Sequence, residues 1–150
     1  MLEVVPGLIA TQHSGEGKAN QYFLRGFNRD HGTDIDITLE DMPVNMRTHG
    51  HGQSYADLNF MIPELISTLH YSKGPYFPDL GDFDTVGAVQ INYVDILPHD
   101  LALVTAGTLG YYRGVAGMSR PVGTGNLLAA AEYDARATEP TQGHRADCLL

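Results

Sequence analysis

His49 and His51 stand one residue apart, each followed by glycine, and Asp57 follows six positions after His51. Neutral imidazole and carboxylate ligate borderline metals such as zinc, copper, nickel and cobalt, so this grouping raises the chemistry of a metal site. Two imidazoles alone leave such a site incomplete, because zinc usually takes at least three protein ligands. A soluble metal-binding or metal-dependent enzyme domain would have to recruit His31 beside His49, His51 and Asp57. Hydrolytic and nucleotide signatures are missing: the chain contains no H-E-x-x-H, no G-x-S-x-G, no P-loop and no G-x-G-x-x-G after a strand. No catalytic residue is therefore assigned and no cofactor is implied. The single cysteine, Cys148, can form no disulfide within the chain, and no Cys/His zinc spacing exists.

The elements that would carry these histidines are short. Tyr22 to Phe27 is an aromatic and aliphatic stretch between turn residues, which predicts a strand. Ile35, Ile37 and Leu39 alternate with Asp36, Thr38 and Glu40, the period of a strand with one buried face. Asp41, Met42 and Pro43 turn it back toward the His-Gly-His loop. Pro63 suits a first helical position, so the spacing predicts one or two helical turns over residues 63–67. A strand is expected over 68–73, with Leu69 and Tyr71 on one face, and another where Val89, Ile91 and Tyr93 alternate with polar residues. Short strands and long polar loops give an α+β unit, without the helices of 10–15 residues that a βαβ sheet needs.

Charge divides the chain. Of 18 acidic and 9 basic residues, all the net charge of -9 falls before Leu101. That argues against a nucleic-acid partner, which requires a basic stripe to displace counterions. From Leu101 onward the charge is balanced and small residues mix with tyrosine. Residues 101–109, 111–121 and 127–136 are three segments of strand length. In the third, Leu127, Ala129, Ala131 and Tyr133 share one face and Glu132 and Asp134 the other, the layout of a transmembrane β-strand and equally of a soluble hairpin sheet. Residues 141–150 show no strand pattern. No apolar run reaches about 18 residues, so no spanning helix is expected, although a spanning strand needs only about 9–11 residues. The start lacks the basic-then-apolar layout of a signal peptide.

Several motifs occur in a fixed order: Val-Pro-Gly-Leu at 5–8, Arg25-Gly26, Asp41-Met42-Pro43, Ile62-Pro63-Glu64, Lys73-Gly74-Pro75, and Gly87-Ala88-Val89-Gln90-Ile91-Asn92. Their order and approximate spacing resemble the plug domain of TonB-dependent outer-membrane receptors, followed by the opening strands of the barrel. Met42 stands where the family usually has a hairpin glycine, and Val86 where it often has the first glycine of a pair, which leaves the backbone at both positions open.

The resemblance implies an α+β plug over residues 1–97 and a truncated β-barrel start over 98–150, in a fragment of a larger receptor. It implies energy-coupled uptake of a scarce nutrient, such as a siderophore or metal chelate, and no enzymatic reaction. The implied partners are the small-molecule or chelate substrate, the TonB energy-coupling protein acting through a segment outside this chain, and the outer membrane through the complete barrel. Three loops would face outward, at 13–18, 28–33 and 46–53, making His13, His31, His49 and His51 candidate substrate contacts. Arg25 is the candidate contact between plug and inner barrel wall, since guanidinium holds carboxylates in bidentate fashion. His70 and His99 are expected to be structural.

Overall fold

The computed structural model describes residues 2–11, 19–24, 27–29, 34–50, 55–83, 85–108, 110–136 and 143–149. They form two compact units, 1–93 and 94–150.

The first unit holds two sheets. Strands β1 (Leu8–Thr11), β2 (Gln21–Leu24) and β3 (Phe27–Arg29) form an antiparallel meander. The second sheet has the order β5-β4-β7-β6, built from β4 (Ile35–Leu39), β5 (Met42–Pro43), β6 (Ile66–Lys73) and β7 (Gly87–Tyr93). Strands β4 and β7 run parallel and the other neighbours antiparallel. Ile35, Ile37 and Leu39 are all buried, as their alternation requires, and Val89 and Ile91 join them. The same core receives Leu2, Val5 and Leu8 from the N-terminal segment and Tyr22 and Leu24 from β2. Lys73 Nζ ties that segment to β6 by donating to the Pro6 carbonyl at 2.7 Å.

The helical part is smaller than expected. Among the described residues it consists of three 3-10 turns, Leu2–Val4, Pro63–Leu65 and Pro78–Phe83. Pro63 does start a turn, but Ile66 is already extended, at φ -72 and ψ 122, and Ser67 belongs to β6. The isoleucine and the Ser-Thr pair after Leu65 favour the pleated sheet over a second helical turn. Strand β6 also fails to alternate cleanly: Leu69 packs on the core while Tyr71 is exposed, with an irregular register between Ile66 and Thr68.

Both departures from the family pattern find their geometry. In the β4–β5 hairpin the positive φ angles fall on Glu40 (49°) and Asp41 (62°), leaving Met42 to pair with Leu39. Two successive left-handed residues are what a type I′ hairpin turn demands. Their conformational cost is offset by bonds to β7: Glu40 N–H donates to Ile91 O at 3.0 Å, Gln90 Nε2 donates to Asp41 Oδ1 at 2.8 Å, and Glu40 Oε1 accepts from Tyr93 N–H. Val86 is buried, and the close approach falls on Gly87, where a Cβ would lie 2.3 Å from Ser72 O.

The second unit is an antiparallel meander of β8 (Leu101–Ala106), β9 (Tyr112–Val122), β10 (Gly125–Arg136) and β11 (Gly143–Leu149), an open sheet in the order β11-β10-β9-β8. Strand β11 corrects the expectation for the tail. Its sequence has no alternating signal, and its pairing follows the long edge of β10, from Ala130↔Leu149 to Arg136↔Gly143. The β9–β10 hairpin turns on Gly123-Thr124, with Gly123 at φ 60, the position where a type II′ turn calls for glycine. No described helix is long and apolar enough to cross a membrane.

Candidate functional site

After Pro43 the chain runs back along β4, and Asn45 does the pairing with its side chain. Its Oδ1 accepts from Ile37 N–H at 2.7 Å and its Nδ2 donates to Ile35 O at 2.9 Å, while Val44 N–H donates to Ile37 O. The following loop is pinched where Met46 N–H donates to Tyr55 O at 2.9 Å. His49 lies inside the pinch, exposed, its ring stacked on Tyr55 with centroids 4.5 Å apart and planes 11° from parallel. The Tyr55 hydroxyl accepts from Ala19 N–H at 2.9 Å. A tyrosine fixed at its hydroxyl and packed on an imidazole sets the plane of that ring, leaving its orientation far less free than on an unsupported loop.

Of the candidate substrate residues, His49 alone is described; His13, His31 and His51 lie outside the described residues, as does Arg25. Asp57 is committed to a local turn, its Oδ1 accepting from Asn59 N–H at 2.9 Å. It also faces Tyr22. Burial pushes the Tyr22 hydroxyl well above the usual phenol range, and the Asp57 charge adds to that shift against an opposing hydrogen bond with Asn20. Among the described residues, no three His, Cys, Asp or Glu side chains gather where a metal could sit. His70 lies on β6 opposite Gln90, and His99 is exposed before β8.

Asn45 and Tyr55 organise this loop, and neither was singled out in the sequence. Asn45 follows the strand-turn-strand pattern directly, a place where a side-chain amide can replace a backbone partner. Tyr55 offered no comparable signal, because its contact with Ala19 joins residues 36 positions apart and its stack on His49 forms only where the Met46 bridge closes the loop.

The second unit carries its chemistry on two contrasting faces. Pairing places Ala102, Val104 and Ala106 beside Ala116, Gly114 and Tyr112, and these beside Ala131, Tyr133 and Ala135. With Met118, Leu127 and Ala129 they make a continuous apolar face that is largely open, Val104 being 86% exposed. Tyr112 and Tyr133 mark one end. At the other, Arg120 holds Asp100 by two bonds of 2.7 Å. The opposite face is mixed: Thr105, Arg113, Ser119, Glu132 and Asp134 share it with Leu101, Leu103, Leu128 and the buried Val115 and Ala130. There Arg113 grips Glu132 in bidentate fashion, Nε–Oε1 at 2.8 Å and Nη2–Oε2 at 3.0 Å, with both side chains largely shielded from solvent.

A plug body of short strands thus precedes long antiparallel strands with one apolar face. The TonB-dependent receptor plug domain matches residues 1–88, and the chain belongs to this family. The family is a component of transporters, with a gating role, and is not an enzyme family. No curated protein matches the chain.

Proposed function

We propose that this chain supplies the plug and the opening barrel strands of an outer-membrane receptor, gating energy-coupled uptake of a siderophore or metal chelate. Residues 1–93 form the stopper, and the sheet that follows Leu97 belongs to the wall. The observation that carries the reading is the two-faced sheet of the second unit. Arg120 and Tyr112, eight residues apart on β9, bound an apolar stretch of about 27 Å along the strand, which at a barrel tilt of about 40° covers about 21 Å of height, most of the band of about 25 Å on a spanning barrel. The ion-paired face then turns to an aqueous lumen. The open edges of such a sheet cannot stay unpaired in lipid, where each unsatisfied backbone group costs several kcal/mol, so further strands must close it.

In this reading the outward loops read the substrate. His49, held against Tyr55, is the described member of a surface to which His13, His31 and His51 also belong, and Arg25 contacts the inner wall. The coupling partner is the TonB protein. The test is uptake and binding of candidate metals and chelates by expressing cells, comparing wild type, His49→Ala/His51→Ala and the control His70→Ala. Binding weakened in the double variant alone is the expected result. Equal binding and uptake in all three would remove the histidines from the substrate surface.

A further inference from the structure

The covalent path between the two units passes through a few residues, and both of its ends are held. On the first-unit side, Tyr93 ends β7. Its N–H donates to Glu40 Oε1 and its carbonyl accepts from Ser67 Oγ at 2.8 Å. Ser67 stands at the register shift of β6 and also donates to Asn92 O at 3.1 Å, so the irregularity supplies the hydroxyl that grips the strand end. On the second-unit side, Leu97 N–H donates to Ser119 Oγ at 2.8 Å. The Leu97 side chain lies over Gly117, where a Cβ would come within 3.3 Å of its Cδ1 and 3.4 Å of Ala130 Cβ. Gly117 is therefore a socket for Leu97. Between these grips stand Val94, Asp95 and Ile96, the last two exposed.

We infer that Val94, Asp95 and Ile96 form a three-residue hinge held between two side-chain clamps, Glu40 with Ser67 on Tyr93 and Ser119 with Gly117 on Leu97. Four residue steps separate Tyr93 from Leu97 and reach at most about 14 Å when fully extended. A larger separation of the clamps on Tyr93 and Leu97 requires a clamp to open.

The test is residue-resolved hydrogen exchange on the full chain, a readout independent of whether the protein transports anything. Asp95 and Ile96 amides should exchange fast while Tyr93 and Leu97 are slowed. Ser119→Ala should raise the Leu97 rate roughly ten-fold, the scale of one lost hydrogen bond, and leave Tyr93 unchanged. Glu40→Ala should do the converse. Ser119→Thr and Glu40→Gln, which keep the accepting oxygen, should restore protection and so separate a lost clamp from a damaged fold. Common exchange of all four amides, coupled responses to the two alanine variants, or failure of both conservative variants to rescue would overturn the hinge.

Discussion

The sheet of the first unit and the sheet of the second use the same alternation in opposite senses. In β4 and β7 the apolar residues turn inward, and Ile91 is fully buried beneath the N-terminal segment and β2. In β9 and β10 Tyr112, Met118, Leu127 and Tyr133 lie on an open face, while a shielded charged pair shares the other side with the buried Val115 and Ala130. Period-2 patterning therefore states that a strand has two unlike faces, without stating which one meets water. The surroundings decide: a core for the first sheet and, in the proposed receptor, lipid for the second.

Equivalent truncations should therefore differ most. Ile91→Ala removes a buried side chain and should cost about 2–5 kcal/mol, whereas Leu127→Ala on the open face should change aqueous stability by about 0.5 kcal/mol or less. Denaturant unfolding, followed by amide protection in β7 and in β10, reads both. Similar losses would erase the distinction between the two sheets.

The next contrast lies within the second unit. Arg113→Ala strands a shielded Glu132 carboxylate and should cost about 2 kcal/mol. Arg120→Ala breaks an ion pair whose members are more than half exposed and should leave stability unchanged within error. Amide protection across the β9–β10 pairing is the measure, and equal effects would mean that shielding of the polar face contributes nothing.

A smaller effect comes from pH. Tyr22 has its ionisation raised in the folded state, so its contribution is fully present below the ordinary phenol value near 10 and is lost as pH climbs toward the raised value. The first unit should lose about 1.4 kcal/mol per pH unit in that window from this group. Between pH 9 and 11 the loss should total about 1.4 kcal/mol, and Tyr22→Phe should remove that difference in chemical denaturation at the two pH values. An unaltered difference would show that the phenol is not excluded from solvent.

Much of this division was legible. Ile35, Ile37 and Leu39 and, in the second unit, Leu127 to Tyr133 displayed two unlike faces directly, because both patterns are local. The motif order from Val5 to Asn92 carried the family. What stayed hidden depended on partners distant in sequence. Strand β11 owes its pairing to the edge of β10, and the helix expected after Pro63 gave way to β6 once β7 was available to pair. Met42 looked like a misplaced glycine until the left-handed angles were found on Glu40 and Asp41, a shift that the side-chain bonds to β7 sustain. For the histidines, spacing indicated a loop but not a platform: the stack of His49 on Tyr55 links neighbours only through the Met46 bridge.

The orientation of the second sheet can be read with single nitroxide labels at positions 104, 131 and 132, in a Cys148→Ser background, in outer membranes from expressing cells. Labels at Val104 and Ala131 should relax strongly with oxygen, which concentrates in lipid, and weakly with a water-soluble paramagnetic complex. The label at Glu132 should show the reverse. Aqueous accessibility at 104 and 131, or lipid accessibility at 132, would contradict the assignment of the apolar face to the membrane.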